Sequence, residues 1–404
     1  MKVSVIGQGY VGLTVAVEVA SVGHTVIGLD LDKNNIAELT KGKTHIPGIS
    51  TKKILDLIKT ENYTPTTDFN SIRDSNIVII AVPTPLNEDK KPDLSFLINA
   101  AENISRVLSS SALIVNESTS YPGTLRNLIV PIFKNNSSIT FEFASAPERI
   151  DPGNNNWNLR NTPRVISGIS DQATTKAIDF YQQFSGKIFR ASSPEVAEAS
   201  KLFENSFRQI NIALANEFSI ISYKLGFSAH EAINAASTKP FGFMPFYPGI
   251  GVGGHCIPVD PTYLSHAATL SGVNANFIEL ANETNLNMVH EVISRIKQEM
   301  GGSLKSLKIQ IAGISYKSGV SDLRESAALR LLAELKNEGS IVSWCDPLVK
   351  EYKGSKSSDI NPEIDLGLIV TPHEEIDFEL WKKHQTKVID LSSNNKNYGW
   401  AKYL

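Results

Sequence analysis

The 404 residues of the chain are 41% hydrophobic and 20% charged, and the formal net charge is −3 at pH 7. This composition excludes a fibrous or low-complexity polymer and a disordered chain, and it provides no basic field that would favour nucleic acid or an anionic membrane as a partner. The length predicts two or three domains, each able to bury a core. With two cysteines, Cys256 and Cys345, a disulfide framework is not expected.

The N-terminal part alternates short apolar segments with helical ones. Strands are predicted at residues 3–6, 25–30, 77–82 and 112–116, and a helix at 11–22. Repeated strand–helix–strand units indicate a parallel α/β sheet. Because the first strand follows Met1 and Lys2 directly, without a secretory apolar segment, and the apolar segments are too short to cross a bilayer, we expect a cytoplasmic protein.

A long helix is predicted in the middle of the chain. Ser193 offers a cap, Pro194 suits the first turn and Glu195 lies near the positive end, while Gly226 offers a stop. Apolar residues three or four apart form one stripe along this helix: Phe203, Phe207, Ile210, Leu214, Phe218, Ile221 and Leu225. A helix of about 45 Å is expected to join two domains or to form a dimer interface.

After residue 302 the α/β pattern returns. Strands are predicted at 308–312, 341–345, 366–370 and 387–391, with a helix at 325–338. The predicted fold class is therefore α/β, with two Rossmann-like domains joined by a central helical domain that contains one long helix. The predicted domains are 1–192, 193–300 and 301–404, and segments 154–156 and 353–359 are predicted to be exposed loops.

A dinucleotide-binding pattern lies between the first strand and the first helix, at residues 7–12. Gly7 permits the tight turn, Gly9 lets the backbone approach a pyrophosphate, and Gly12 lets the helix pack close to the strand. Asp30, at the end of the second strand, can accept hydrogen bonds from both ribose hydroxyls and would repel a 2′-phosphate. The pattern predicts NAD in preference to NADP, and the alternative is a glycine-rich turn that binds nothing.

Glycines and prolines surround Cys256 in the segment 248–261. Flexible, polar neighbours favour an exposed thiol, and Asp260 lies four residues further on, so Cys256 is predicted to be a nucleophile. The alternative is an inert buried cysteine, which is the interpretation favoured for Cys345 within its apolar strand. No metal is predicted, because the eight histidines show no paired spacing.

Lys201 and Asn205 are four residues apart on the long helix and therefore share a face, which Glu198 and Arg208 extend. Most such polar stripes are solvated, and this interpretation is favoured when the stripe is considered alone. The alternative is a lysine and an amide that point into an active cleft, where they could polarise an oxygen or move a proton.

The chain resembles the UDP-glucose/GDP-mannose dehydrogenase family over nearly its full length. The motifs that carry the resemblance are those at residues 7–12, 82–85 with 91–94, 117–124, 146–149, 201–205, 248–261, and 316–317 with 322–326. The Glu148-Arg149 pair and segments 151–153 and 254–261 are most similar to the UDP-N-acetylhexosamine branch. Within it, segment 239–249 resembles UDP-N-acetylglucosamine 6-dehydrogenases, with UDP-N-acetylmannosamine dehydrogenases as near neighbours.

The resemblance implies a two-step oxidation of the C6 alcohol of a UDP-N-acetylhexosamine to a carboxylate, with two NAD consumed. Cys256 would attack the intermediate aldehyde, and the resulting thiohemiacetal would be oxidised to a thioester and hydrolysed. The resemblance implies that Lys201 and Asn205 stabilise the oxyanion, that Asp260 and Thr119 position or activate water, and that Glu148 assists acid–base chemistry or substrate binding.

Binding roles follow from the same resemblance. The implied cofactor-binding residues are Gly7, Gly9, Tyr10, Val11, Gly12, Asp30, Thr84, Thr119 and Arg324. The implied substrate-binding residues are Glu148, Arg149, Lys201, Asn205, Phe246, Tyr247, Gly253 and Lys317. The N-terminal domain would hold NAD and the C-terminal domain the UDP, with the reaction in the cleft between them. The long helix would form the core of a homodimer, in which Lys239 of a neighbouring subunit is a candidate substrate contact.

Four alternatives remain open at this point. The substrate could be UDP-N-acetylmannosamine or UDP-glucose instead of UDP-N-acetylglucosamine. The chain could be a two-electron hydroxyacid dehydrogenase, since that group also places a Lys-x-x-x-Asn helix behind a dinucleotide-binding domain, although it needs no catalytic cysteine. A non-catalytic NAD-binding module is the last alternative.

Overall fold

The computed structural model describes residues 1–44, 46, 48–150, 154, 156–254, 256–392 and 400–403. These residues form two compact units. The first unit comprises Met1–Glu204 with Thr262–Val273, and the second comprises Asn205–Pro261 with Asn274–Leu404. Within the described ranges, no helix is both long enough and apolar enough to cross a membrane.

The first unit is built on an eight-stranded sheet. Its strands are β1 (Lys2–Ile6), β2 (Thr25–Leu29), β3 (Tyr63–Thr66), β4 (Ile77–Ile80), β5 (Leu113–Asn116), β6 (Glu142–Ser145), β7 (Arg164–Gly168) and β8 (Ile188–Arg190). They pair in the order β3-β2-β1-β4-β5-β6-β7-β8, and every pair is parallel except β6 with β7. The helices of this sheet domain are α1 (Tyr10–Ser21), α2 (Lys33–Thr40), α3 (Thr51–Lys59), α4 (Ser95–Val107), α5 (Val130–Asn136) and α6 (Asp171–Tyr181).

The centre of this sheet forms the core of the unit. Val5 of β1, Ile79 of β4 and Val115 of β5 have no solvent-exposed surface, as expected for parallel strands that are covered on both faces. Leu13 of α1 packs in the same core. Because β1, β2, β4 and β5 are parallel, the turns that follow them open at one edge of the sheet, where α/β proteins bind their ligands.

The second unit contains a five-stranded sheet in the order β10-β9-β13-β14-β15, with every pair parallel. Its strands are β9 (Lys308–Ala312), β10 (Ile341–Cys345), β13 (Leu366–Ile369), β14 (Val388–Asp390) and β15 (Lys402–Tyr403), and a short hairpin joins β11 (Glu351–Tyr352) to β12 (Ser355–Lys356). Its helices are α8 (Ala229–Ala236), α10 (Asn276–Glu299), α11 (Ala327–Asn337) and α12 (Glu379–Lys383).

Two helices cross from one unit to the other: α7 (Pro194–Leu225) and α9 (Asp260–Leu270). The predicted apolar stripe of α7 is largely exposed, with Leu214 60% and Leu225 70% accessible. The buried side of α7 instead carries small and polar residues, among them Ser206, Gln209, Ala213, Asn216, Ser219 and Ser222. The helix therefore presents apolar side chains to solvent and uses its polar side for hydrogen bonds within the protein.

The predicted fold class is confirmed, and each strand predicted above is present within one or two residues of its predicted ends. The helix predicted at 325–338 begins later, at Ala327, because Ser326 has an extended backbone conformation and is the N-cap residue. The loop prediction for 353–359 was wrong in part, since β12 lies within it. Part of segment 154–156, at residue 155, lies outside the described residues, and the three-domain division stays a prediction.

Candidate active site

In the glycine-rich turn after β1, the fold requires glycine at two positions and leaves space for a side chain at a third. A Cβ atom on Gly7, whose φ is +92°, would lie 2.4 Å from the carbonyl oxygen of Ala81, and a Cβ on Gly12 would lie 1.8 Å from the carbonyl oxygen of Gly7. A Cβ on Gly9 would meet no protein atom within 4 Å. Gly9 therefore leaves open space at the start of α1, where the helix dipole favours a phosphate.

Asp30 lies beside this turn at the end of β2. Its Oδ2 accepts a hydrogen bond from the backbone N–H of Gln8 at 2.7 Å, and its Oδ1 accepts one from the backbone N–H of Asp32 at 2.9 Å. Each carboxylate oxygen keeps acceptor capacity for a ribose hydroxyl. Tyr10 and Val11 form the first turn of α1 and are half-buried. This cradle fits the pyrophosphate and ribose of NAD.

Two more predicted site residues lie after β4 and β5. Thr84 follows β4 and is buried, and Thr119 follows β5 and is only 7% exposed. The Nζ of Lys201 on α7 donates a hydrogen bond to the Oγ1 of Thr119 at 2.7 Å. The solvated-face interpretation of the helix stripe is thus wrong at Lys201, which is partly buried and bonded to a predicted site residue.

Glu198 departs further from that interpretation, because it is only 1% exposed. Its Oε2 accepts a hydrogen bond from the backbone N–H of Gly123 at 2.7 Å, and its Oε1 accepts one from the backbone N–H of Leu125 at 2.9 Å. Burial raises the pKa of Glu198 to about 7, against the lowering effect of those two N–H groups. The carboxylate binds the start of a π-helical turn, Leu125–Ile129, that continues into α5.

Glu148 takes part in a buried ionic cluster. Its Oε2 lies 2.7 Å from the guanidinium of Arg164, whose Nη1 lies 2.8 Å from Oε1 of Glu117, and the hydroxyl of Tyr181 donates to the same Glu117 oxygen. Burial raises the pKa of Glu117, although Arg164 opposes this effect. Arg149, the next predicted residue, forms an ion pair with Glu204 at 2.7 Å. Both residues of the predicted Glu-Arg motif are thus bound to other side chains.

Cys256 and Asp260 lie one turn apart in the second unit. The thiol-bearing residue is exposed, and its carbonyl oxygen accepts a hydrogen bond from the backbone N–H of Asp260 at 2.8 Å. Asp260 is fully buried, and its Oδ2 accepts a hydrogen bond from the Nδ2 of Asn205 at 2.7 Å. The structure thus brings an accessible sulfur, a buried carboxylate and a primary amide into one local arrangement.

The glycines before Cys256 pack against protein. A Cβ on Gly253 would lie 2.9 Å from the Cβ of Tyr316, and one on Gly254 would lie 2.7 Å from the Tyr316 ring. The backbone N–H of Gly254 also donates to the carbonyl oxygen of Arg324 at 3.0 Å. A side chain at either position would therefore collide with Tyr316, so the fold itself requires glycine at 253 and 254.

Arg324 is a cation in electrostatic contact with Cys256. Its guanidinium hydrogen-bonds to both carboxylate oxygens of Asp322, which raises the pKa of Arg324, and an electrostatic interaction with Cys256 acts in the same direction. A cation in electrostatic reach of a thiol favours the reactive thiolate.

Lys317 lies in a turn that a buried histidine holds in place. The Nδ1 of His373 accepts a hydrogen bond from the backbone N–H of Gly319 at 3.2 Å, so the proton of the imidazole ring lies on Nε2. This Nε2 lies 2.9 Å from the Oγ of Ser315 and 3.2 Å from the Oδ2 of Asp346. Hydrogen bonds from His373 and from the backbone N–H of Ile314 lower the pKa of Asp346 against the effect of burial. These contacts fix both ends of the segment that presents Lys317.

The remaining predicted contacts lie in the segment before the glycines. The hydroxyl of Tyr247 donates to Oδ1 of Asn234 at 2.7 Å, and the ring of Phe246 packs edge-on to Phe207 at 6.0 Å between centroids. Lys239 lies over the ring of Phe241 at 5.0 Å.

Among the described residues no group of three or more His, Cys, Asp or Glu side chains could hold a metal ion.

Three family models match the chain in consecutive order. The NAD binding domain of the UDP-glucose/GDP-mannose dehydrogenase family matches residues 1–185, the central domain of that family matches 195–287, and its UDP binding domain matches 310–394. The chain belongs to the UDP-glucose/GDP-mannose dehydrogenase family. It is an enzyme, an NAD-dependent nucleotide-sugar dehydrogenase, so the predicted family, enzyme class and cofactor are confirmed.

Similar proteins fall in the predicted N-acetylhexosamine branch. A UDP-N-acetyl-D-glucosamine 6-dehydrogenase of Pseudomonas aeruginosa is 34% identical over 370 residues, or 90% of this chain and 86% of that protein. A UDP-N-acetyl-D-mannosamine dehydrogenase of Pyrococcus horikoshii is 33% identical over 397 residues, or 95% and 92%. A solved structure of UDP-D-ManNAc dehydrogenase from Pyrococcus horikoshii matches 100% of this chain and 99% of its own, with a TM-score of 0.87 and 31% identity.

Sequence reasoning missed two parts of the enzyme's framework. It placed Glu198 on a solvated face, whereas Glu195, one turn earlier on the helix, is the glutamate that remains partly exposed, in an ion pair with Arg126. It gave no role to His373, whose partners Ser315 and Gly319 are more than fifty residues away in the sequence. The sequence signal that could have identified His373 is its position directly after Thr371 and Pro372, at the end of a buried strand.

Proposed function

We propose that the enzyme oxidises the C6 alcohol of a UDP-N-acetylhexosamine to the uronate through a cysteine thiohemiacetal and thioester, with UDP-N-acetylglucosamine as the substrate. The observation that carries the proposal is the exposed Cys256 one turn before the buried Asp260, whose carboxylate is bound by Asn205 at 2.7 Å. An oxidation that stopped at the aldehyde would need neither the sulfur nor the carboxylate.

The cofactor is assigned to the turn after β1. Gly9 leaves space for the pyrophosphate, and Asp30 presents both carboxylate oxygens to the adenosine ribose. When bound there, NAD accepts a hydride from the substrate carbon in each oxidation. The hydroxyl proton released in the first oxidation is assigned to a water held by Thr119, whose Oγ1 is already bonded to Lys201.

The covalent step follows the chemistry of a thiolate and an aldehyde. The sulfur of Cys256 forms a C–S bond to C6, and the carbonyl π pair becomes an oxyanion. Lys201 and Asn205, one turn apart on α7, are assigned to stabilise that charge. Loss of the second hydride restores the carbonyl as a thioester. Water assisted by Asp260 then attacks this carbonyl, breaks the C–S bond and returns the thiolate.

The assignments of the other predicted residues complete the proposal. Lys317, on the turn fixed by His373, and Arg149, Phe246, Tyr247 and Gly253 are assigned to the sugar nucleotide, while Thr84 and Arg324 are assigned to the cofactor. Glu148 is assigned an electrostatic role, because Arg164 and the backbone N–H of Arg149 bind its two oxygens. The segments 1–192, 193–300 and 301–404 would hold NAD, form the subunit interface and hold UDP, respectively.

We also propose that the enzyme is a homodimer or a higher homo-oligomer through the exposed apolar stripe of α7. Phe203 is 69%, Leu214 60% and Leu225 70% accessible within one chain. A run of large apolar side chains on one helix face is typical of a protein–protein interface. Lys239 stays a candidate for a contact to the substrate of the neighbouring subunit.

The experiment that tests the proposal counts NADH per sugar in a panel of UDP-N-acetylglucosamine, UDP-N-acetylmannosamine, UDP-N-acetylgalactosamine and UDP-glucose. We expect two NADH per sugar and the highest kcat/KM with UDP-N-acetylglucosamine. One NADH per sugar would overturn the four-electron mechanism. UDP-N-acetylmannosamine is the second candidate, because relatives that act on either epimer are about equally similar to this chain. NAD binding without turnover of any sugar would support a binding module.

A further inference from the structure

The first turns of α7 hold the segment after β5 at two places. Lys201 donates a hydrogen bond to Thr119 at 2.7 Å. Glu198, three residues earlier and therefore on the same face of the helix, accepts hydrogen bonds from the backbone N–H groups of Gly123 and Leu125 at 2.7 and 2.9 Å. The contact to Thr119 and the contact to residues 123–125 are thus made by neighbouring side chains of one rigid element.

Both oxygens of Glu198 are needed for this contact. Oε2 binds the Gly123 N–H, whereas Oε1 binds the Leu125 N–H and lies 3.5 Å from the Oγ of Ser120. The Leu125 N–H belongs to the first turn of the π-helix and has no acceptor within it, and the Gly123 N–H lies in the turn just before that helix. A glutamine could accept at only one of the two positions and would turn its NH₂ group towards the other N–H.

The other side of Thr119 is fixed independently of α7. The Oγ of Ser118 donates to the carbonyl oxygen of Val82 at 2.9 Å, and the Nδ2 of Asn116 donates to the carbonyl oxygen of Ser118 at 3.2 Å. Residues 116–118 therefore follow the sheet, and Gly123 and Leu125 follow α7 through Glu198. Ser120 is shared between the two, because its Oγ lies 3.2 Å from the Nδ2 of Asn116 and 3.5 Å from the Oε1 of Glu198. Thr119 lies between the two attachments.

We infer that Glu198 is a positioning residue, which fixes residues 123–125 to α7 so that the hydroxyl of Thr119 stays within hydrogen-bond distance of Lys201. This inference rests on the proposed function of Lys201 and Thr119. Glu198 is buried and bound to the backbone, and it acts on the reaction through Thr119 alone.

A double-mutant cycle separates this role from general support of the fold. With UDP-N-acetylglucosamine and NAD, Glu198→Gln should lower kcat by about 10–100-fold, with KM for NAD changed less than about twofold. In the Thr119→Val background, the same substitution should lower kcat by less than about twofold, because the hydroxyl that Glu198 positions is already absent. An equal loss in both backgrounds would mean that Glu198 only supports the fold.

Glu195→Gln is the matched control. Glu195 lies on the same helix and forms an ion pair with Arg126 of the same π-helical turn, at 2.6 Å, but it makes no contact with residues 119–125 in the described hydrogen bonds. It should leave kcat within about twofold of the wild type, as surface ion pairs contribute little.

A crystal structure of the Glu198→Gln chain tests the inference without any turnover. The distance from Lys201 Nζ to Thr119 Oγ1 should increase beyond 3.5 Å, and a distance that stays at 2.7 Å would overturn the inference even if the variant is slow. If the wild-type chain oxidises no UDP-sugar, the proposed function fails, and the crystallographic comparison still decides the role of Glu198.

Discussion

At the scale of single residues, the two cysteines differ in their exposure. Cys256 is exposed, whereas Cys345 lies half-buried in β10, where burial first, and then Asp346 and Asp359, raise the pKa of its thiol to about 11. A thiol in that state remains protonated near neutral pH and is a poor nucleophile. The distinction predicted from the flanking residues therefore has a physical basis.

Replacement of each cysteine by serine tests this difference. Cys256→Ser should lower uronate formation by more than about 100-fold, because the weaker nucleophile forms no thioester, and the aldehyde should be the furthest product. Cys345→Ser should retain uronate formation within about twofold. Mass spectrometry of the products distinguishes the aldehyde from the acid, and acid formation by Cys256→Ser at the wild-type rate would contradict the covalent route.

Asp30 is the residue on which cofactor preference depends. Asp30→Ala should raise KM for NAD by about 10–100-fold, since hydrogen bonds to a charged carboxylate are among the stronger ones, and should affect NADP less because a repulsive charge is removed. Asp32→Asn is the control, because the side chain of Asp32 caps α2 by accepting hydrogen bonds from the backbone N–H groups of Asn34 and Asn35, and the substitution leaves the backbone N–H that binds Asp30 in place. Equal losses for both cofactors in Asp30→Ala would refute the argument.

At the scale of elements, the turn between β1 and α1 contains one glycine that we assign to NAD binding, Gly9, and one that the fold itself requires, Gly12. Gly9→Ala should leave the melting temperature unchanged, because a methyl group there meets no protein atom, but it should weaken NAD binding by filling the open space. Gly12→Ala should lower the melting temperature as well, since its Cβ would overlap the Gly7 carbonyl oxygen. Thermal unfolding and NAD titration of both variants check this, and a destabilised Gly9→Ala would show that the position is structural.

The helix α7 shows what an element's sequence can and cannot predict. Its ends were predictable, because Pro194 and Gly226 act locally on the backbone. The environment of its faces was not, because a polar stripe can face either solvent or a partner within the protein. The burial of Glu198 depends on two backbone N–H groups more than seventy residues earlier in the chain, and no periodicity encodes such a pairing.

The same limit applies to the glycines near Cys256. The sequence predicts a loop there, and the described residues of 248–259 lie outside helices and strands. That a Cβ at Gly254 would collide with the ring of Tyr316 depends on contacts between segments some sixty residues apart. The exposure of Cys256 was therefore predictable from its local sequence, whereas the supporting contacts of Tyr316 and His373 required the folded chain.

At the scale of the whole molecule, the exposed stripe of α7 predicts the state of assembly. Leu214→Glu should convert a wild-type dimer to a monomer in sedimentation velocity, because an unpaired carboxylate is costly to bury in an apolar interface. Lys336→Glu, an exposed change on α11, is the control and should sediment like the wild type. A wild-type monomer, or a dimer that persists in Leu214→Glu, would contradict the proposed interface.

The path of the chain has a consequence for biosynthesis. The final segment of the first unit, Thr262–Val273, follows Asn205–Pro261 of the second unit in the sequence. Within this segment, Tyr263 donates a hydrogen bond to the Pro85 carbonyl oxygen and contacts the ring of Tyr121. A nascent polypeptide that has emerged only as far as Glu204 lacks these partners. The amino-terminal lobe therefore gains its last segment only after residue 273 has been synthesised, and a fragment cut at 204 would expose the surface that Thr262–Val273 covers.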